Sequence, residues 1–133
     1  MIMKYALLVN GAPLDSQAAR SALYFSQALL AREHQLLRVF FYGAGVQLGN
    51  GLQISAQDEN SLLGEWQALA LAGNTELVLC IAAAQRRGIL SATEAQRHGK
   101  PPVEMLATGF TLAGLGTLVD AALDVDRLIT FQG

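Results

Sequence analysis

Short apolar runs alternate with amphipathic segments along the whole chain. Continuous apolar runs, rich in β-branched and aromatic residues, are typical of strands that are buried on both faces of a sheet. Such runs end at turn-forming residues, as Val9 does before Asn10-Gly11-Ala12-Pro13. The pattern predicts five strands, at residues 5–9, 36–42, 77–81, 105–111 and 127–131.

Between these runs, apolar residues recur every three or four positions, which is the spacing of a helix with one buried face. The spacing predicts helices at Gln17–Arg32 and Ser61–Leu71, the second containing Trp66. Ser91-Ala92-Thr93-Glu94 has the form of a capping box and predicts a short helix to about His98. A last helix follows Gly114-Leu115-Gly116. The alternation predicts a single α/β domain over residues 1–133, a three-layer α/β/α sandwich with a five-stranded, mostly parallel sheet.

The amino-acid composition and net charge indicate which kinds of partner the chain binds. Charged residues make up 15% of the chain and hydrophobic residues 52%, against about 25% charged in an ordinary soluble domain. We therefore expect part of the surface to be covered by other subunits. The net charge of −2, without a basic run, argues against direct binding of nucleic acid. No signal peptide is evident and no apolar run is long enough to span a membrane, so we expect a cytoplasmic protein without membrane contact.

The glycine-rich segment Gly43–Gly51 has the composition of a phosphate-binding loop but not its spacing. A G-x-G-x-x-G pattern starting at Gly43 needs glycine at position 48, which is Leu48, and no G-K-[ST] follows. The segment is predicted to be a mobile loop with at most a helical turn, at the carboxyl edge of the sheet. A plain connector is an equally good interpretation.

Cys80, the single cysteine, comes near the end of the third apolar run. In a parallel sheet, chemistry is usually placed at the carboxyl ends of the strands. There, backbone N–H groups and Arg86 or Arg87 can stabilise a partly exposed thiolate. The alternative is that Cys80 is a small buried hydrophobic residue, as free cysteines often are. One cysteine excludes an internal disulfide and a multi-cysteine zinc site.

Other catalytic arrangements lack support in the sequence. His34 and His98 both fall at predicted helix ends, and there is no G-x-S-x-G motif. A Cys–His pair requires that His98 fold back toward Cys80. No cluster of metal-ligating residues is evident. Cys80 is therefore the residue with the most distinctive chemistry.

Several motifs, in order and spread over nearly the whole chain, make this sequence similar to the DsrE-like family. They are Val39-Phe40-Phe41-Tyr42 with Gly45-Val46, the run from Cys80 to Gly88, Thr93-Glu94-Ala95, the run from Gly109 to Gly116, and Asp126-Arg127. Within the family, the chain resembles the cysteine-bearing subunit of the bacterial sulfur relay for tRNA 2-thiouridine synthesis.

The resemblance implies a sulfurtransferase in which Cys80 accepts sulfur as a persulfide from one small carrier protein and passes it on, toward the tRNA wobble uridine. Arg86 and Arg87 are candidate supports for the thiolate or persulfide. The implied partners are carrier proteins and two smaller paralogous subunits, in a heterohexamer built as a dimer of heterotrimers, with tRNA contacted only indirectly. No metal, nucleotide or flavin cofactor is implied.

Two other functions compete with this one. The chain can be a non-catalytic structural or regulatory subunit, with Cys80 as a packing residue. It can also be a small-ligand domain in which Gly43–Gly51 holds a phosphate, although the glycine spacing disfavours this.

Overall fold

The computed structural model describes residues 1–133 of the chain, which form five strands, five α-helices and one 3₁₀ helix. The elements are β1 (Lys4–Val9), α1 (Ala18–Ala31), β2 (Gln35–Phe41), the 3₁₀ helix (Gly43–Gly49), α2 (Leu62–Gly73), β3 (Glu76–Cys80), α3 (Ile81–Arg86), α4 (Ala92–Arg97), β4 (Phe110–Ala113), α5 (Gly116–Asp124) and β5 (Arg127–Phe131).

The five strands form one sheet in the order β4-β3-β2-β1-β5, and every neighbouring pair is parallel. From β1 to β4 the chain moves across the sheet in one direction. Right-handed crossovers therefore place α1 and α2 on the same face, where they contact each other. The connection from β4 to β5 returns across the sheet, so α5 packs on the opposite face, against β1 and β2. The predicted three-layer α/β fold is confirmed.

The core lies mainly between the sheet and the helices α1 and α2. Trp66, which the helical spacing placed on a buried face, is fully buried. Its indole Nε1 donates a hydrogen bond to the carbonyl oxygen of Ala19 at 3.2 Å, and its ring meets the edge of Phe41 at a centroid distance of 5.6 Å. These contacts join α1, α2 and β2, and β2 runs directly alongside the strand that carries Cys80.

The predicted fourth strand is shifted. It was expected at 105–111, but β4 spans Phe110–Ala113. The backbone of Met105 and Ala107 is paired elsewhere: the Gly51 N–H donates to the Met105 carbonyl, and the Ala107 N–H donates to Gly49. Because these groups bind the segment after the 3₁₀ helix, they are not free to extend the sheet.

The glycine-rich segment is also different from the prediction. Instead of a mobile loop it forms a packed 3₁₀ helix in which Val46 and Leu48 are fully buried. A Cβ atom on Gly45 would lie 2.5 Å from the carbonyl oxygen of Val9, and one on Gly49 would lie 2.4 Å from the Leu79 side chain. These two glycines therefore permit close packing against β1 and β3.

None of the helices combines the length and apolar character needed to cross a membrane.

Candidate functional site

Cys80 is the last residue of β3, at the carboxyl edge of the sheet, and α3 begins at the next residue. Its registered partner on β4 is Ala113, and the residue before it, Leu79, is registered with Phe41 on β2. Cys80 is thus flanked by strands on both sides. The amide groups of the first turn of α3 lie just beyond it, and such groups have no partner within their own helix.

Of the two interpretations of Cys80, a partly exposed thiol and a small buried residue, the structure has the buried one. Only 3% of the Cys80 surface is exposed, and the residue belongs to the main hydrophobic cluster. The partly exposed position was the interpretation for a cysteine at the point where a buried strand gives way to a loop or to the start of a helix. Here α3 begins directly after the strand, and neighbouring side chains close over the cysteine.

Cys80 nevertheless borders a cavity of about 350 Å³. The cavity is formed by the ends of β2 and β3, the first turns of α3 and the connection from β4 to α5. Ten residues line it: Tyr42, Gly43, Cys80, Ile81, Ala82, Ala83, Arg86, Arg87, Gly114 and Leu115. Small residues make up half of this lining, which leaves space beside the thiol that a group added to it can occupy.

Arg86 and Arg87, the two predicted supports, both line this cavity with Cys80. Arg87 is held in place, because its Nη1 donates to the carbonyl oxygen of Ala83 at 3.0 Å. Arg86 is exposed and makes no ion pair or side-chain hydrogen bond within the chain. No carboxylate lines the cavity. Its electrostatic potential therefore favours anions such as a thiolate or a persulfide.

The histidines do not take part in this site. His98 lies 3.4 Å from the side-chain nitrogen of Gln85 and 3.8 Å from a carboxylate oxygen of Glu94, and it does not line the cavity. His34 is at the amino edge of the sheet, where its Nδ1 accepts a hydrogen bond from the Met3 N–H at 3.1 Å. The structure therefore provides no Cys–His pair.

No three His, Cys, Asp or Glu side chains come close enough together to hold a metal ion. Asp126 accepts a hydrogen bond from the Lys4 N–H at 2.8 Å, where β1 and β5 begin. The acidic residues thus have roles that are separate from the cysteine.

Sequence reasoning missed two side chains of the site, Tyr42 and Leu115. Tyr42 was predicted only as the end of the second strand, and Leu115 only as part of a turn. The parallel sheet could have indicated them, because residues that end neighbouring parallel strands meet at one edge of the sheet. The strand order was needed to use that signal, and the sequence does not specify it.

Comparisons with known proteins bear on the family, the activity and the fold of this chain. A sequence profile of the DsrE/DsrF-like family matches residues 3–131. The sulfurtransferase TusD of Salmonella newport (strain SL254) is 47% identical over 129 residues, which cover 97% of this chain and 100% of the relative. The sulfurtransferase TusD homolog of Vibrio parahaemolyticus serotype O3:K6 is 46% identical, covering 97% and 98%. These relatives confirm the predicted sulfurtransferase.

The crystal structure of the YchN protein from Escherichia coli superimposes with a TM-score of 0.78 at 23% identity, over 98% of this chain and 100% of that one. At this identity the likeness concerns the fold alone, and it confirms the predicted architecture. The profile match and the two relatives show that the chain belongs to the DsrE/DsrF-like family.

Proposed function

We propose that this chain works in the cytoplasm as a persulfide carrier, with Cys80 accepting sulfur from a small carrier protein. The sulfur then passes on in a relay toward 2-thiouridine at the tRNA wobble position. One observation carries the proposal: the single cysteine of a sulfurtransferase borders a cavity lined by two arginines and no carboxylate. A thiolate and a persulfide are both anions, so this cavity favours the reactive form of each.

The reaction needs only thiol chemistry. The Cys80 thiolate attacks the outer sulfur of the donor's persulfide, and a bond forms between Sγ and that sulfur. The bond from the outer sulfur to the donor cysteine breaks, and its electron pair stays on the donor as a thiolate. The second transfer repeats this step, with an acceptor thiolate as nucleophile and Cys80 as leaving group. No oxidant, metal or nucleotide is consumed.

We also propose that the chain works inside a heterohexamer with two smaller paralogous subunits, and that carrier proteins rather than tRNA meet it directly. Exposed apolar side chains support an assembly. Val119 and Leu123 lie four residues apart on α5, Leu115 caps the start of that helix, and each of the three residues is at least half exposed. The net charge of −2 gives little attraction to a polyanion such as tRNA.

The alternative function, a structural or regulatory subunit, is favoured by one observation. Cys80 is 3% exposed and packs within the main hydrophobic cluster, as an unreactive cysteine does. Under this alternative, other subunits carry the sulfur and this chain holds them in place.

Intact-mass measurement distinguishes the two functions. The chain is purified with its associated subunits from its own cells, without reductant, and its mass is compared before and after reduction. A persulfide carrier shows a fraction of molecules heavier by one sulfur atom, located on the peptide that contains Cys80 and removed by reductant. If Cys80 remains an unmodified thiol even after incubation with a persulfide donor, the chain is not the carrier.

A further inference from the structure

Tyr42 lies beside Cys80 at the carboxyl edge of the sheet. Phe41 is registered with Leu79 in the parallel pairing of β2 and β3. The residues that follow are Tyr42, directly after the end of β2, and Cys80, the last residue of β3. Tyr42 keeps an extended backbone, with φ −133° and ψ 157°. Neighbouring strands are about 4.8 Å apart, and residues in register project from the same face of the sheet. The tyrosine and the cysteine therefore project side by side.

The hydroxyl group of Tyr42 is free to bind a ligand. The side chain lines the Cys80 cavity and is 42% exposed. Its hydroxyl makes no hydrogen bond within the chain, and its ring is in no aromatic pair. Tyr5, in contrast, has its hydroxyl near Met3 Sδ and its ring against Phe25 and His34.

The lengths of the two side chains decide which sulfur the hydroxyl can reach. A tyrosine extends farther from its backbone than a cysteine does, so the hydroxyl lies beyond Sγ. A persulfide places its outer sulfur about 2 Å beyond Sγ. On the other side of Cys80 its registered partner is Ala113, which is too short to reach this space. Tyr42 is thus the neighbouring strand residue whose polar group matches the outer sulfur.

We infer that Tyr42 is a positioning residue that donates a hydrogen bond to the anionic outer sulfur of the Cys80 persulfide. This inference rests on the persulfide function proposed above. The bond holds the outer sulfur toward the open cavity, while Sγ stays among buried side chains.

This placement determines the product of the next transfer. When an acceptor thiolate attacks the outer sulfur, the new bond joins acceptor sulfur to outer sulfur, and the electron pair of the broken bond returns to Cys80 Sγ. When it attacks Sγ instead, a mixed disulfide forms and hydrosulfide leaves with that electron pair. Burial of Sγ disfavours the second reaction, and Tyr42 presents the sulfur that must be attacked for the first.

The test compares Tyr42→Phe, Tyr42→Ala and a matched control, Tyr24→Phe. Tyr24 is another exposed tyrosine, but it lies on α1 and does not line the cavity. Each full-length chain, with the subunits that co-purify with it, is loaded with a persulfide donor. The persulfide is then alkylated with a neutral reagent over a range of pH, and the product is measured by mass spectrometry.

The hydrogen bond stabilises the anionic persulfide, so its loss raises the pH at which half of the persulfide reacts. We expect Tyr42→Phe and Tyr42→Ala to raise this midpoint by about one pH unit, equivalent to about 1.4 kcal/mol, and Tyr24→Phe to leave it unchanged. A midpoint pH for Tyr42→Phe equal to that of wild type overturns the inference. This holds even if the midpoint for Tyr42→Ala is raised, because the aromatic ring without its hydroxyl would then be enough to stabilise the persulfide. If the unaltered chain takes up no sulfur, the proposed function itself fails, and this inference fails with it.

Discussion

Arg86 is the charged residue of the Cys80 cavity that has no partner within the chain. Arg87 donates to the carbonyl oxygen of Ala83, which fixes its guanidinium beside α3. Arg86 has no such contact and is exposed at the cavity. Its charge is therefore available to attract an incoming persulfide and to stabilise the thiolate that remains after transfer.

We expect Arg86→Gln to slow sulfur acceptance by Cys80 about five-fold, because a partly exposed charge contributes about 1 kcal/mol or less to a neighbouring anion. The difference between wild type and variant shrinks as salt is added, since exposed charges are screened. Arg97→Gln is the matched control: Arg97 is an exposed arginine that pairs with Glu94 and does not line the cavity. Equal rates for all three chains would exclude a role for the Arg86 charge. The measurement is the initial rate of labelled-sulfur uptake at two salt concentrations.

At the scale of elements, the 3₁₀ helix sets the position of the chain next to Cys80. It begins directly after Tyr42, and its Gly45 packs onto the end of β1. Backbone atoms of Val9 and Asn10 occupy the space that a side chain at position 45 would need, and backbone cannot move aside as a flexible side chain can.

Gly45→Ala is therefore expected to lower the free energy of unfolding by about 1–3 kcal/mol, the usual cost of overpacking. Gly116→Ala serves as the control, because Gly116 is in α5 and a Cβ atom there meets nothing within 4 Å. Urea denaturation of the two variants measures the difference. A Gly45→Ala chain as stable as wild type would mean that the 3₁₀ helix is not packed tightly on β1.

A second element-level prediction concerns the ion pair between Arg20 on α1 and Glu65 in the first turn of α2. The hydrogen bond that Arg20 donates to the Glu65 carboxylate raises the pKa of Arg20 above its ordinary value, with a further coulombic contribution from Glu65. A raised pKa means that the arginine's contribution to stability is fully present below its ordinary pKa and is lost only as the pH rises through the raised value.

We expect Glu65→Gln to lower the free energy of unfolding by about 0.5–1 kcal/mol at neutral pH, and by less in high salt. Part of this loss reflects the favourable position of a carboxylate at a helix N-terminus. Glu59→Gln, at an exposed glutamate without an ion pair, is expected to leave stability unchanged. The measurement is the free energy of unfolding of both variants at low and high salt. A loss of stability in Glu65→Gln that does not depend on salt would contradict the ion-pair explanation.

The elements themselves were largely predictable from the sequence. β5 was predicted at its observed bounds, and β1, β2 and α1 within a residue at each end, because their apolar patterns are long and uninterrupted. The fourth strand was misplaced because residues 105–107 use their backbone groups to bind a segment more than fifty positions earlier. The packing of Gly45 and Gly49 was missed for the same reason: composition does not reveal which distant backbone a glycine approaches.

The site was predictable in part. Cys80, Arg86 and Arg87 lie within eight residues of one another, so a local motif brings them to one cavity. Tyr42 and Leu115 reach that cavity through the strand order, which is a property of the whole sheet. The low exposure of Cys80 is a property of the packed fold, and the local sequence pattern left a buried and a partly exposed thiol equally open.

At the scale of the whole molecule, the distribution of apolar side chains predicts an assembly. Val119 and Leu123, four residues apart on α5, are 57% and 79% exposed, although the chain is only 15% charged. Contiguous exposed apolar surface is uncommon on proteins that work as monomers.

We therefore expect the natively expressed chain to co-purify as a multi-subunit species in size-exclusion chromatography with light scattering. Val119→Glu and Leu123→Glu should weaken that species while leaving the circular-dichroism spectrum unchanged, because both side chains lie on the outer surface of α5. A monomeric wild-type chain in the presence of its paralogous subunits would contradict the proposed assembly.

The most direct test of whether Cys80 carries the sulfur is a labelled-sulfur transfer assay with Cys80 replaced. Cys80→Ala removes the sulfur, and Cys80→Ser keeps nearly the same shape at a cost of about 1–3 kcal/mol for a buried hydroxyl without a partner. Two substitutions are used because Cys80 is buried, and thermal unfolding identifies which of them keep the fold and the assembly.

Each complex is mixed with a carrier that bears labelled persulfide sulfur, and the label on the chain is measured over time. If Cys80 carries the sulfur, wild type becomes labelled, both folded variants remain unlabelled, and downstream carriers receive no label through them. Labelling of a folded Cys80 variant at the wild-type rate, or normal delivery of sulfur through it, would contradict the claim that Cys80 carries the sulfur.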